Sequence, residues 1–527
     1  MATQTDPAKQ TDPAKQAKRQ TRLSAALTGV VSAAALLAVA ELLALIVSRS
    51  GSPILAVGSF IIDIFPPWAK DLVIALFGVN DKLVLLLSLA VAVLIAASIA
   101  GMIQFAKPPI GIVLLVAAGL AASAALVTRA GATALDAIPT VVGTAAAAVI
   151  LHLLIVRLRA WRGSDGASSD VGVDRRSFLR FTLITGAAAA VVGAGSRMLN
   201  GALNSVADAR AALTLPKPGS LVTIPAGAEF DIPGLSPLFV PNEDFYRIDT
   251  ALTVPTIDPE TWTLTIGGMV DEEITLTFQD LVDMGVDEYV VTLTCVSNEV
   301  GGPLLGNARW LGVPIRDVLA KAGIQNGADM VLSTSVDGFT AGTPLETLTD
   351  PDRDAILAIG MNGEPLPLEH GFPVRMVVPG LYGYVSATKW LTELKVTTFA
   401  DDEGYWTPRG WDAEGPIKLS SRLDTPRVDK AIPAGPTKVA GVAWAQPVGV
   451  ASVDVKIDGS DWMPATISTP INEDTWVQWF IDWEATTGTH TVVVRATDND
   501  GNVQIEERVP PAPNGSTGLQ SSLVRVS

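Results

Sequence analysis

The sequence predicts three parts of different class: an N-terminal bundle of about five transmembrane helices, an α+β domain that is mostly sheet, and a C-terminal all-β sandwich. Long apolar runs confined to about the first 200 residues predict the bundle. A change to short alternating segments separated by Gly and Pro turns predicts the other two. At 527 residues the chain exceeds one ordinary domain of roughly 100–200.

Charge divides at the same place. Up to Arg197 there are 17 Lys and Arg against 10 Asp and Glu; from Met198 onward there are 20 against 44. The net charge of −17 thus conceals +7 and −24. So acidic a second half excludes nucleic acid, whose phosphates are held by Lys and Arg. It suits a solvated domain beside a membrane. Cys295 is the single cysteine, so no intrachain disulfide forms and stability comes from packing.

Residues 1–22 are polar, repeat TDPAKQ, and predict a disordered basic cytoplasmic tail. Within 23–197, apolar runs near the roughly 20 residues that cross a bilayer lie at Leu23–Val47, Leu83–Phe105, Ile110–Val127 and Ile138–Val156. A fifth, Phe181–Gly195, is shorter and rich in Ala and Gly. Ile54–Phe65 is too short to span and predicts an interfacial or re-entrant piece. Lys and Arg concentrate before the first run and between Arg157 and Arg180, which places both groups in the cytoplasm and everything after Met198 on the extracytoplasmic side. Asp174-Arg175-Arg176-Ser177-Phe178-Leu179-Arg180, before a weakly apolar segment, resembles a twin-arginine export signal; a plain basic helix flank is the other reading.

After a linker over 198–241, residues 242–430 read as the α+β domain. Thr261–Ile266 alternates as a strand, Thr277–Val282 as a capped short helix, and Val290–Cys295 as a strand opening into a Gly301-Gly302 loop. Ile315–Ala322 reads as a helix stopped by Gly323. Residues 431–527 alternate through Val439–Trp444, Ser452–Ile457 and Thr491–Ala496, with turns at Asp458-Gly459 and Asn499-Asp500-Gly501, and predict an immunoglobulin-like sandwich. Trp462, Trp476, Trp479 and Trp483 read as core and interface aromatics rather than a sugar site.

Taken alone, Cys295 is more often a small buried apolar side chain than a ligand. Its place at a strand end raises the functional reading, and a thiolate suits a transition metal. The three histidines, His152, His370 and His490, are far apart in sequence, which argues against a zinc cluster or a haem pair.

Thr292-Leu293-Thr294-Cys295-Val296-Ser297-Asn298, Gly306–Pro314, Met361–Pro367, His370–Arg375 with Val378-Pro379-Gly380, Thr388–Leu391, and Ile417-Lys418 with Ser421–Asp424 resemble, in order and spacing, the sulfite oxidase family of molybdopterin-dependent oxidoreductases. The resemblance runs from about Asp244 to the C terminus. It implies a molybdenum-molybdopterin cofactor, with Cys295 as catalytic thiolate ligand to molybdenum. Tyr246, Arg247, Asp337, His370, Arg375, Thr388 and Lys389 would hold the pterin and its phosphate. It also implies a C-terminal dimerisation domain, hence a homodimer.

The departures concern substrate. Where sulfite-oxidising members carry anion-binding arginines after the cysteine, this chain has Glu299 and Val300, and Ile359 replaces a tyrosine. At the first motif Arg247 is displaced by one position. These changes predict an unidentified small-molecule substrate, neutral or cationic, rather than sulfite. No haem domain is apparent, so electrons would pass to or from a separate carrier, a cytochrome or quinone-linked protein, beside the membrane lipid. The alternative is a metal-free, membrane-tethered binding module on the same scaffold; a thiol redox protein would need a resolving cysteine that the chain lacks.

Overall fold

The computed structural model describes residues 13–47, 76, 81–127, 134–163, 175–203, 206–251 and 254–527. They form two compact units, Met1–Asn204 and Ser205–Ser527. The Ile54–Phe65 stretch and Asp174 lie outside the described residues.

The first unit holds helices α1 (Pro13–Val47), α2 (Asp81–Ala106), α3 (Ile110–Val127), α4 (Ile138–Gly163) and α5 (Arg175–Leu203). Helix α1 packs against α2, α4 and α5. Small residues set that packing, because they let the backbones approach closely and gain dispersion contacts. A Cβ on Gly29 would collide with the Ala97 carbonyl, and one on Gly101 with that of Ala25.

Two expectations are corrected. The tail expected to be disordered to Arg22 is helical from Pro13, because Ala, Lys, Gln and Arg are good helix formers and Pro is tolerated at a helix start. Among the described residues four helices, not five, are long and apolar enough to cross a membrane: Lys15–Ala44, Val84–Ala106, Ile110–Val127 and Ala134–Arg162. The fifth apolar run does form a helix, but its start carries Arg175, Arg176 and Arg180 and its middle is Ala and Gly.

In the second unit α6 (Val206–Ala212) leads to β1 (Thr263–Gly268), β2 (Ile274–Thr277), α7 (Phe278–Asp283), β3 (Asp287–Thr294), β4 (Leu305–Pro314) and α8 (Ile315–Ala322). Then come β5 (Met330–Ser335), β6 (Thr340–Pro344), α9 (Leu345–Thr349), β7 (Ile356–Met361), β8 (Glu364–Pro365), β9 (Arg375–Val377), α10 (Gly383–Ser386) and β10 (Leu391–Thr397). Thr277 caps α7 in a reciprocal box with Asp280. One sheet runs β2-β1-β10-β5-β6, with β1 and β10 parallel; the other runs β3-β4-β7-β8, with β9 also on β7. Strand β7 is buried on both faces, which explains its unbroken apolar run. Leu357 and Ile359 pack with Leu264, Leu319 and Leu394, while Ile356, Ala358 and Met361 pack with Val291, Trp310 and Phe372.

Strands β11 (Ser420–Thr425) to β18 (Gln520–Val526) make two four-stranded antiparallel sheets, β11-β12-β16-β15 and β14-β13-β17-β18. The intervening strands are β12 (Gly435–Trp444), β13 (Val450–Ile457), β14 (Met463–Pro464), β15 (Thr466–Ile467), β16 (Val477–Ala485) and β17 (Gly488–Asp498). One core joins the sheets, with Val439, Trp479 and Ile481 meeting Val453, Val494 and Val524. Trp476 is also fully buried. Trp462 instead lies under Lys456 and Arg495, and Trp483 stands edge-on to His490.

The sandwich grips β3 two residues before the strand ends. Thr292 N–H donates to the Asp474 carbonyl (3.0 Å), and Gln446 Nε2 donates to the Thr292 carbonyl (2.7 Å). The Thr292 hydroxyl accepts from the Trp476 N–H at 2.9 Å, in full burial. Thr292→Val keeps the shape and leaves that N–H unpaired, at an expected cost of about 1–3 kcal/mol. Denaturant unfolding of the full chain in detergent measures it; an unchanged midpoint would contradict this grip.

Candidate active site

The site begins where β3 ends. Cys295 N–H donates to the Leu304 carbonyl (2.9 Å), the Asn298 N–H donates to the Cys295 carbonyl (3.0 Å), and the Asn298 side chain accepts from Leu304 N–H (2.8 Å). This closed turn aims Cys295 into a cleft whose lining also includes Tyr246, Asp337, His370, Arg375 and Lys389. Six of the eight residues expected from the sequence therefore converge. Burial pushes the Cys295 thiol up, opposed by hydrogen bonds from the backbone and hydroxyl of Ser297.

Arg375 opens β9 and is 5% exposed. Its partners are carbonyl oxygens: Nε donates to Met376, one terminal nitrogen to His370 (3.1 Å) and the other to Ala387 (3.5 Å). Its guanidinium lies 5.2 Å over the ring of Trp310. Burial lowers its pKa to about 10, so it stays charged. Gly371, at φ 110, allows this crowding, since a Cβ there would stand 3.0 Å from that of Arg375 and 3.1 Å from that of Lys389.

Lys389 Nζ donates to Asp249 (2.9 Å) and to the Glu369 carbonyl (3.0 Å). Burial pulls its pKa down to about 8 against the attraction of Asp249. His370 Nε2 donates to the Asn242 carbonyl, 3.1 Å away, and the ring stands edge-on to Phe245. Burial, then Arg375 and Lys389, lower it to about 4, so it is neutral at ordinary pH and Nε2 is the donor. Burial and the adjacent Cys295 push the Tyr246 phenol up, keeping it a protonated donor. Asp337 accepts from the Thr250 hydroxyl and the Phe339 N–H.

Two expected residues do not line the cleft. Arg247 is 42% exposed in its side chain and donates to Asp249 at 2.9 Å. Thr388 is buried against the Ser333 hydroxyl at 2.7 Å, because successive residues there face opposite ways and Lys389 takes the cleft side. Glu299 and Val300 are likewise outside the lining, Glu299 being exposed, and Ile359 is buried in the domain core. The expectation that Glu299 sets the charge at the cleft is corrected: the turn after Cys295 carries it away.

Sequence reasoning missed Asp249, which joins Arg247 to Lys389, and Ser335, whose buried hydroxyl has no partner among the described residues. It also missed the rings of Phe339, Tyr384, Trp406 and Trp411. The run Gly404-Tyr405-Trp406-Thr407-Pro408-Arg409-Gly410-Trp411, dense in aromatics within a polar stretch, was the available signal.

The residues present fit an anionic, hydrogen-bonding cofactor. Of the two buried cations lining the cleft, Lys389 pairs with the Asp249 carboxylate while Arg375 donates to carbonyls and keeps two N–H donors uncommitted to them. The Ser335 hydroxyl adds an unpaired polar atom facing the same cleft.

Comparison with known proteins identifies the domain. Residues 251–406 match the family described as oxidoreductase molybdopterin binding domain. Mitochondrial sulfite oxidase of Homo sapiens is 30% identical over 318 residues, which cover 51% of this chain and 58% of that protein. Nitrate reductase [NADH] 2 of Phaseolus vulgaris is 28% identical over 320 residues, covering 49% of this chain and 36% of that one. A chain of the sulfane dehydrogenase SoxCD from Paracoccus pantotrophus superimposes with a TM-score of 0.49 at 21% identity, over 59% of this chain and 90% of that one. The chain thus spans little more than half the length of the sulfite oxidase it matches. Residues 251–406 form a molybdopterin-binding oxidoreductase domain, and over about half its length the chain is similar to sulfite oxidases.

Proposed function

We propose that this chain is a membrane-anchored, extracytoplasmic oxidoreductase that carries out two-electron oxygen-atom transfer on a small molecule. The observation that carries the reading is the meeting of Cys295 with buried Arg375 and Lys389 in one cleft of a molybdopterin-binding domain. When bound, molybdenum-molybdopterin supplies the oxygen-atom and electron chemistry, with the Cys295 thiolate as the protein's ligand to the metal.

The chain's own residues bind and orient. Arg375 and Lys389 take anionic oxygens of the cofactor by charge-assisted hydrogen bonds, Asp249 orients Lys389 from behind, and Ser335 and His370 contribute neutral polar contacts. Asp337 accepts from ring N–H groups of the pterin, and the Tyr246 phenol, held protonated, donates beside Cys295. Arg247 acts through Asp249 rather than by contact, and Thr388 holds the backbone that presents Lys389. The metal-free reading fits poorly, since it leaves a buried guanidinium without an anion.

Four apolar helices support anchoring, and the arginines from Arg157 to Arg180 support a cytoplasmic position for that end, the second unit lying outside. The Arg175-Arg176 sequence supports twin-arginine export of a folded, cofactor-loaded domain. The C-terminal sandwich is of immunoglobulin type in this reading and pairs two copies of the chain; a separate cytochrome or quinone-linked protein carries the electrons.

Elemental analysis of the full chain, purified in detergent from a host that makes the cofactor, tests the reading. About one molybdenum per chain is expected, and Arg375→Met should retain under a tenth of it. Well-folded native chain with no molybdenum despite ample supply would sink the proposal.

The pH dependence has a defined sign. Lys389 titrates at about 8 in the folded chain against 10.5 for an ordinary lysine. Between those values the unfolded chain holds a proton that the folded chain has lost, so the cofactor-free protein gains stability as pH rises. Cofactor affinity moves oppositely: it is full below about 8 and falls above it, by at most about tenfold per pH unit. Molybdenum retention after dialysis from pH 7 to 9.5 should decline in the native chain and stay flat in Lys389→Met. A flat native profile would contradict the role of Lys389.

A further inference from the structure

The cleft lining combines two groups of unlike chemistry. Arg375 and Lys389 are the only cations in its described lining. The rest of it includes a continuous row of rings. Phe339 meets Tyr405 at 5.8 Å, Tyr405 meets Trp406 at 5.2 Å, Trp406 meets Trp411 at 6.3 Å, and Trp411 meets Tyr384 at 5.9 Å between centroids. Four of these five, all but Tyr405, line the cleft itself. The row starts beside the cysteine ligand, since a Cβ on Gly383, the neighbour of Tyr384, would lie 3.9 Å from the Thr294 carbonyl.

This wall is built rather than incidental. The Tyr384 hydroxyl donates to the Asp412 carbonyl (2.7 Å), and Asp412 N–H donates to the Pro513 carbonyl (3.1 Å). Asn514 Nδ2 donates to the Asp412 carboxylate (2.8 Å), and Lys418 Nζ donates to Asn514 (2.7 Å) and the Gly515 carbonyl (2.7 Å). A loop of the sandwich domain thus pins the segment that carries Trp411.

The wall's electrostatics select against anions. Ring faces are negative, and an inorganic oxyanion pressed on them loses hydration without gaining a donor. The carboxylate of Asp412 adds negative charge close enough to reinforce the upward push that burial gives the Tyr384 phenol. A methylated cation behaves oppositely: it is weakly hydrated and is attracted to indole and phenol faces. The row already holds one cation, the Arg409 guanidinium 3.7 Å over the ring of Tyr405.

We propose that Phe339, Tyr384, Trp406 and Trp411 select the substrate, and that the group they take is a methylated onium, a quaternary ammonium or sulfonium head group. This rests on the cleft being the substrate side of the cofactor site proposed above. It also relocates the basis of substrate choice from the residues after Cys295 to the ring row.

Calorimetric titration of the full chain in detergent tests it, with three probes: choline, its uncharged carbon isostere 3,3-dimethylbutan-1-ol, and sulfite. Choline should bind saturably, at least tenfold tighter than the isostere and without competition from sulfite. Trp406→Ala and Trp411→Ala should each weaken choline at least tenfold. Trp411→Phe, which keeps a ring, should stay within about threefold of native, separating loss of the wall from loss of the fold. Equal binding of the isostere, tighter binding of sulfite, or no effect of the Trp substitutions would overturn the proposal. Molybdenum measured on the same samples keeps the two readings apart. A loaded chain that ignores choline overturns only the onium wall; a metal-free chain that binds it overturns only the cofactor assignment, and a metal-free chain that ignores it overturns both.

Discussion

A guanidinium buried without a carboxylate is the constraint around which the second unit is arranged. Arg375 sits in the interior of its domain, and moving such a charge from water costs several kcal/mol unless it is compensated. Three carbonyls and the face of Trp310 supply part of that compensation. They satisfy donors without neutralising charge, which an anion alone does. The surroundings follow from this requirement. Gly371 lets Arg375 and Lys389 approach one another, and the short turn Leu368–His370 delivers a carbonyl to the guanidinium. Phe245 packs edge-on against both Trp310 and His370, so the cation's seat is continuous with the core.

The sandwich contributes to the site although none of its described residues lines the cleft. Its loops bind β3 at Thr292 and, through Asn514, fix the segment bearing Trp411. The thiolate end and the ring wall are thereby braced from one side by the same domain. Precise placement in an active site depends on such supporting contacts, because a side chain held only by its own rotamer drifts by more than chemistry tolerates.

The sequence carried much of this and failed where neighbouring residues diverge. Strand β3 with Cys295 at its end, the α7 cap at Thr277 and the helix Ile315–Ala322 with its Gly323 stop follow from periodicity and local capping, and they stand where those signals put them. The convergence of Tyr246, Cys295, Asp337, His370, Arg375 and Lys389 was legible only through family resemblance, because no local pattern joins positions so distant in sequence. Motif spacing also does not say which way a side chain turns. Thr388 and Lys389 are adjacent and face opposite directions, and Arg247 reaches Asp249 rather than the cleft. Glu299 follows Ser297 by two residues yet leaves the site, since the turn closed by Asn298 carries the chain outward. The ring wall was illegible for another reason: aromatics in a polar loop are as compatible with packing as with recognition until their common face is seen.

The central claim is that the Cys295 thiolate, not merely the family fold, completes the metal site. X-ray absorption at the molybdenum edge on the loaded full chain and on Cys295→Ser tests it directly by counting sulfur neighbours. The account predicts one fewer sulfur ligand in the variant, with the dithiolene sulfurs of the pterin retained. An identical sulfur count in both proteins would contradict it.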